Sequence, residues 1–412
     1  MRSASLLAVA LATACTLAPP AKPGGAVRGE GRVVRVALHL GVQRATLGAT
    51  GAWRIVDARG ESTLLLGGDS WILERDGSLV RFVGADGVAM PPRPAPVMAR
   101  PEGVRSLLLV DGKRYRGELV VAVRDTGLVV VNRLPVEWYL RGVVPLEIGR
   151  RAPGERAAVE AQAVAARSFA YSRLRDTLAG LYDLRASTLD QAYGGVDAEL
   201  PLTDQAVSST RGMVLTYGGR VVGAPYSSSC GGRTAAASEV WRSPDEPYLA
   251  SVSDTIPGTT RAYCDIAPIG AWTRAYDRAE LDRVLARYLA AYAAVPSAGP
   301  GSVRRVEVDG RTPSGRVRGV VVSTAGGRYA LRGNDVRFVL RSPSGEILPS
   351  TYFSLDAVDG PDGRLSRLVL HGRGNGHGVG MCQWGAIGRA RAGQDFRAIL
   401  QTYYPGTSVD AL

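Results

Sequence analysis

Glu147 stands in the run Val143-Val144-Pro145-Leu146-Glu147-Ile148, a single carboxyl group among apolar neighbours. Apolar surroundings disfavour the ionised form, so such a group can keep its proton near neutrality and act as a general acid. A surface glutamate near the start of a helix fits the same residues. Other chemistry is sparsely supplied. Histidine occurs only at His39, His371 and His377, which is thin for a metal-dependent hydrolase that wants several ligands at close spacing. There is no Walker motif and no Gly-x-Ser-x-Gly. The glycines of Gly372-Arg373-Gly374-Asn375-Gly376 lack the spacing and flanking elements of a dinucleotide loop.

Two further stretches combine small and polar residues. Ala224-Pro225-Tyr226-Ser227-Ser228-Ser229-Cys230-Gly231-Gly232 leaves backbone N–H groups accessible to a polar ligand, as plain loops also do. His377 lies in a Gly-rich loop, with Gln383 and Trp384 soon after. A donor to a polar ligand and a capped histidine in a Gly turn both fit it. Gln162 interrupts an Ala-rich helical face, as a core amide or as a group positioning Glu147. Arg167 reads as an ion-pairing residue or as a contact orienting the Glu147 carboxylate.

The elements that must carry these residues are short. With 51 glycines and 24 prolines in 412 residues, the chain favours many turns and brief strands over long helices. Strands are expected at 33–38, 51–56, 106–110 and 119–123, and an Ala-rich helix over 155–175 follows Pro153-Gly154. Gly218-Gly219 between apolar runs predicts a tight hairpin. A second helical stretch is expected over about 275–294. The fold class is therefore α+β, mixed, with mostly short antiparallel strands and a few helices forming a long substrate groove.

The net charge of +12 draws the protein to polyanions. Its arginines are scattered, without the basic-aromatic runs or zinc-finger spacing of a nucleic-acid binder, so no nucleic acid is expected as a partner. Met1-Arg2, the apolar run Leu6 to Leu11 and Ala12-Thr13-Ala14 resemble a secretory signal. Cys15 directly after it resembles a lipid-attachment cysteine, so anchoring at Cys15 and plain cleavage both stand. Export to the cell envelope or periplasm is expected, where the remaining cysteines, Cys230, Cys264 and Cys382, are an odd number in a disulfide-permissive compartment. The organisation expected is a signal over 1–15, a linker over 16–30, a β-rich region over 31–130 and a catalytic domain over 131–412.

Four segments in order are similar to the SpoIID/LytB family of peptidoglycan proteins. They are Val143 to Glu147 with Ala161-Gln162-Ala163-Val164-Ala165-Ala166-Arg167-Ser168; Asp190-Gln191-Ala192-Tyr193-Gly194-Gly195; Thr210 to Leu215 with Ser227 to Thr234; and Gly372 to Ala386 with Tyr403-Tyr404-Pro405-Gly406. The resemblance implies a lytic transglycosylase that cuts the MurNAc–GlcNAc bond of glycan strands and leaves a 1,6-anhydro end, or else a glycan-binding module that enhances an amidase. It implies Glu147 as the acid, and Gln162, Arg167, Tyr226, Ser227, Ser228, Thr234, His377 and Gln383 as substrate-binding residues. The strands bound would be ones an amidase had denuded, or intact ones. No cofactor is required by the chemistry. Zinc is known in some relatives, and Cys230, Cys264 and Cys382 would supply such a site, with a Cys230–Cys264 disulfide as the favoured alternative.

Overall fold

The computed structural model describes residues 31–103, 105–174 and 180–412. The signal expected over 1–15 with Cys15 and the linker expected over 16–30 lie outside the described residues. Among the described residues there are two compact units, a larger one over 31–234, 245–267 and 378–412, and a smaller one over 235–244 and 268–377. No helix among the described residues is long and apolar enough to cross a membrane.

The larger unit begins with two sheets. A seven-stranded sheet runs, in spatial order, Leu184–Arg185, Val33–Val42, Gly127–Pro135, Glu118–Arg124, Val97–Pro101, Trp53–Val56 and Ser62–Leu65. All its pairings are antiparallel except that of Leu184–Arg185 with Val33–Val42. A six-stranded sheet contains Arg44–Ala49 and Ser70–Asp76. Trp53, Ile55, Leu47, Leu73 and Phe82 from these strands are fully buried. Gly127–Pro135 is apolar on both faces because it is a central strand covered on both sides.

The boundary expected at 130/131 does not occur. Gly127–Pro135 passes straight into helix α1, Val136–Ile148, with no linker. The sequence reading had no helix here, because α1 starts on a valine and holds Pro145, both poor helix signals. Pro145 is tolerated in the last turn, where its carbonyl accepts the Gly149 N–H at 3.0 Å. Helix α2, Arg156–Arg173, is the expected Ala-rich helix. It is buried on nearly every side. Its alanines let α1, the helices Pro201–Ser209, Gln383–Arg391 and Phe396–Tyr403, and the strand Met213–Tyr217 pack around it. The hairpin forms as expected, with Gly218 at φ 57 and Gly219 at φ 74, the two left-handed positions of a primed turn.

The smaller unit contains two three-stranded antiparallel sheets, of which one is Ala271–Asp277, Leu365–Arg373 and Phe353–Asp359. Its core joins Tyr276, Leu281, Leu285, Val320 and Leu368. The helix expected over 275–294 starts later, at Arg278, and ends at Tyr288. Asp277 caps it, accepting from the Glu280 N–H at 2.7 Å. The residues before it are a strand, whose side chains alternate between faces. The chain thus has the mixed α and β architecture with short antiparallel strands that its sequence implies.

Candidate active site and thiol cluster

Glu147 occupies the last turn of α1 and is half-buried. Its Oε1 accepts the Ala192 backbone N–H at 2.7 Å. Burial pushes the carboxyl up to about 7, against the opposing pull of that N–H. The negative end of the α1 dipole acts in the same direction as burial. Among the described residues, no cation and no second carboxylate contributes to this shift.

Three layers hold the carboxyl in place. Gln383 Nε2 donates to the Glu147 backbone carbonyl at 2.9 Å and to Gln162 Oε1 at 3.2 Å. Gln191 Nε2 donates to the Tyr226 hydroxyl at 2.9 Å, and its Oε1 accepts from the Tyr139 hydroxyl at 3.1 Å. Gln191 immediately precedes the Ala192 amide, so this network fixes the loop that holds Glu147. Gln383 in turn follows the two-residue strand Met381–Cys382, which pairs in parallel with Tyr226–Ser227. Gly380 makes that pairing possible, since a Cβ there would lie 2.0 Å from the Pro225 carbonyl oxygen.

The substrate-binding residues expected from the resemblance divide into distinct places. Gln162, Gln383 and Tyr226 stand with Glu147 in this network. Ser227 Oγ accepts the Gly378 N–H at 3.1 Å and shapes the loop, and Ser228 gives its carbonyl to the Trp384 N–H at 3.0 Å. Thr234 is buried and accepts the Val252 N–H at 2.8 Å, a strand-like closure that leaves no hydroxyl facing solvent. Arg167 requires a correction. It is fully buried, and its guanidinium forks onto both oxygens of Glu137 at 2.8 and 2.9 Å and onto the carbonyls of Met213 and Val207. It neither reaches Glu147 nor opens to a ligand. It joins α1, α2 and the strand after Gly212. His377 belongs to the smaller unit, where its ring lies 5.1 Å from Trp241.

Cys230, Cys264 and Cys382 converge with Asp254, a residue the sequence reading did not single out. One ligand atom from each lies within 4.8 Å of the others, all buried. The Cys230 and Cys264 sulfurs are 3.7 Å apart, too far for the favoured disulfide. That distance matches the edge of a tetrahedron with zinc–sulfur bonds of about 2.3 Å. The Cys382 sulfur accepts the Cys230 and Gly385 N–H groups at 3.1 and 3.3 Å, donors suited to a thiolate. Asp254 Oδ1 is oriented by the Tyr403 hydroxyl at 2.6 Å and by Arg389 at 3.2 Å, while Oδ2 takes the Cys264 N–H at 3.1 Å. Hydrogen bonds from the Cys230 and Cys382 thiols pull Cys264 far below the usual thiol range. Burial pushes Cys230 and Cys382 up. The donor set therefore fits a closed, four-ligand zinc site.

A family model described as stage II sporulation protein matches residues 124–217, the span that carries Glu147, Gln162 and Gln191. A model described as domain of unknown function (DUF8618) matches residues 267–380. An uncharacterized protein of Brachyspira hyodysenteriae is 33% identical over 301 residues, covering 73% of each chain. The amidase enhancer of Bacillus subtilis is 32% identical over 328 residues, which take in 73% of this chain and 44% of that protein. Stage II sporulation protein D of the same organism is 28% identical over 305 residues, covering 70% of this chain and 78% of its own.

Proposed function

From a chain that belongs to the SpoIID family of stage II sporulation proteins, we propose a lytic transglycosylase of peptidoglycan glycan strands in which Glu147 is both acid and base. The observation that carries this reading is a lone carboxyl, with a pKa of about 7, fixed through one oxygen by the Ala192 amide. Ordinary glycosidases use two carboxyl groups. Here the protonated Glu147 gives its proton to the bridging oxygen as the bond from MurNAc C1 to that oxygen breaks. The resulting carboxylate then takes the proton of the MurNAc C6 hydroxyl as O6 bonds to C1. No water is consumed, and the nucleophile has the high effective concentration of an intramolecular group.

Zinc fits this reading as a structural ion on Cys230, Asp254, Cys264 and Cys382. When bound it would cross-link the Ser227–Cys230 loop to the start of the Gln383–Arg391 helix. With four protein donors it has no open position for a reacting water. The reading calls for a protein in the cell envelope, where the glycan is, either anchored by a lipid at Cys15 or released by cleavage beside it.

A second reading follows from the relative named amidase enhancer: the same site would hold a strand for a partner amidase without cutting it. Both are tested by incubating wild-type protein and the Glu147→Gln variant with intact and amidase-stripped peptidoglycan. Anhydro-ended fragments in the mass spectrum from wild type alone support the transglycosylase. Reducing ends with added water would replace it with a hydrolase. Strand binding by both proteins with no release would leave the enhancer.

A further inference from the structure

The smaller unit contains a cleft of about 550 Å³ that shares no residue with the Glu147 network or the thiol cluster. It lies at one end of the sheet Ala271–Asp277, Leu365–Arg373 and Phe353–Asp359. Trp272 sits opposite Gly372 in that sheet. Its indole covers the place where residue 372 would carry a side chain, because a Cβ there would lie 2.1 Å from the ring. The indole N–H also donates to the Gly374 carbonyl at 3.1 Å. A half-buried indole fixed in this way offers a rigid apolar surface with no rotamer entropy left to lose.

Two guanidinium groups line the same cleft. Arg311 donates to the carbonyls of Gly315 and Phe353, each at 3.0 Å. Arg373 lies 4.0 Å from the Tyr352 ring centre and donates to its hydroxyl. Each guanidinium has five N–H donors, so both keep some beyond these contacts. His371 adds a ring nitrogen, 3.3 Å from Asp356. Among the described residues, no carboxylate lines the cleft. Fixed arginines without an opposing acid recognise a carboxylate or similar anion through charge-assisted hydrogen bonds.

We infer that this cleft binds a sugar ring bearing a carboxylate, with the ring on Trp272 and the carboxylate on Arg311 and Arg373. The choice of a muramic-acid saccharide as that sugar rests on the reading of the chain as a glycan-strand protein. The site itself does not depend on Glu147 being catalytic. A stem-peptide carboxylate offers the same anion without the ring.

The test is calorimetric titration of the full chain carrying Glu147→Gln, so that nothing is cut. The probes are the GlcNAc–MurNAc disaccharide, neutral chitobiose and an Ala-Glu dipeptide. Adding Arg311→Gln and Arg373→Gln is expected to weaken binding of the disaccharide at least about tenfold and to leave chitobiose unchanged. Thr273→Glu, which puts a carboxylate at an exposed position of the cleft, is expected to weaken the disaccharide in the same way and covers the case of a poorly folded double variant. Disaccharide affinity unaffected by either change would overturn the proposal. Dipeptide binding as tight as the disaccharide, and equally arginine-dependent, would overturn its sugar component. Arginine-dependent binding by a chain whose wild type cuts no glycan would remove the catalytic reading and keep the cleft.

Discussion

The Ala192 amide donates to Glu147 Oε1 at 2.7 Å, while the same carboxyl is raised to about 7 by burial. A hydrogen bond to the ionised form and a desolvating pocket oppose each other, and desolvation wins. Glu147 is then near the midpoint of its titration at neutral pH, where a group that must first give and then take a proton is most useful. The protonated form begins the reaction, so turnover should fall about tenfold per pH unit above 7, and a pH–rate profile in kcat measures this. Glu147→Gln should lower release of anhydro fragments by at least about 10³-fold. A flat profile between pH 5 and 9 would count against Glu147 as the acid.

Stability should fall in the same direction, over a window that begins lower. The folded pKa lies above the unfolded one, so the folded state holds the proton more tightly. The stability this provides is present below about pH 4.5 and is lost as pH rises toward 7. The upper limit is about 3 kcal/mol for this shift, and solvent at the half-exposed carboxyl reduces it. Glu147→Gln removes the penalty, so its Tm should exceed that of wild type at pH 8 and match it at pH 4. Thermal unfolding at the two pH values decides this.

Gln191 closes a buried triad with Tyr139 and Tyr226. Gln191→Leu leaves both hydroxyls without that amide, at a cost of roughly 1–3 kcal/mol. It also loosens the turn that presents the Ala192 N–H. Both Tm and kcat should drop, whereas Tyr226→Phe should lower Tm by less. Denaturant unfolding together with fragment release separates the two effects.

Arg167→Met should be costly to the fold and neutral to chemistry. Leaving the half-buried Glu137 without its partner costs at most about 3–5 kcal/mol, less what solvent recovers at its exposed edge. The folded fraction, measured at low temperature, should retain wild-type KM. A raised KM with unchanged Tm would return Arg167 to the ligand site.

Purified protein should carry about one zinc per chain. Chelation should lower Tm, and Cys382→Ser should lose the metal. Elemental analysis and intact mass check this, and a chain free of metal and 2 Da light would mean a disulfide instead.

The apolar neighbours of Glu147 fitted a surface glutamate as well as an acid, and the family resemblance singled it out; the hairpin at Gly218-Gly219 was legible from two glycines. Helix α1 was not, because propensity argues against Val136 and Pro145, while the packing of α1 on α2 decides the outcome. Asp254 gave no signal, since it sits in an ordinary Ser-Val-Ser-Asp loop and meets the cysteines only in three dimensions. Of the two readings of Arg167, ion pair or contact to the Glu147 carboxylate, the sequence did not decide, since its partner is distant in the chain. Its partner is the other acid of α1, Glu137, at the opposite end of that helix. The separation of 268–377 as its own unit could not be seen either, since no linker composition marks its edges.

That separation has a kinetic meaning. The larger unit is built from discontinuous stretches of chain, and its last piece, residues 378–412, supplies Gln383, Cys382 and the strand Ser408–Ala411 that pairs with Met213–Tyr217. Contacts spanning more than 150 residues close late and slowly. A nascent or threading chain emerges N-terminus first, so it exposes the α1 acid long before the segments that position it arrive. The assembled Glu147 site is thus a property of the finished molecule, withheld until folding ends.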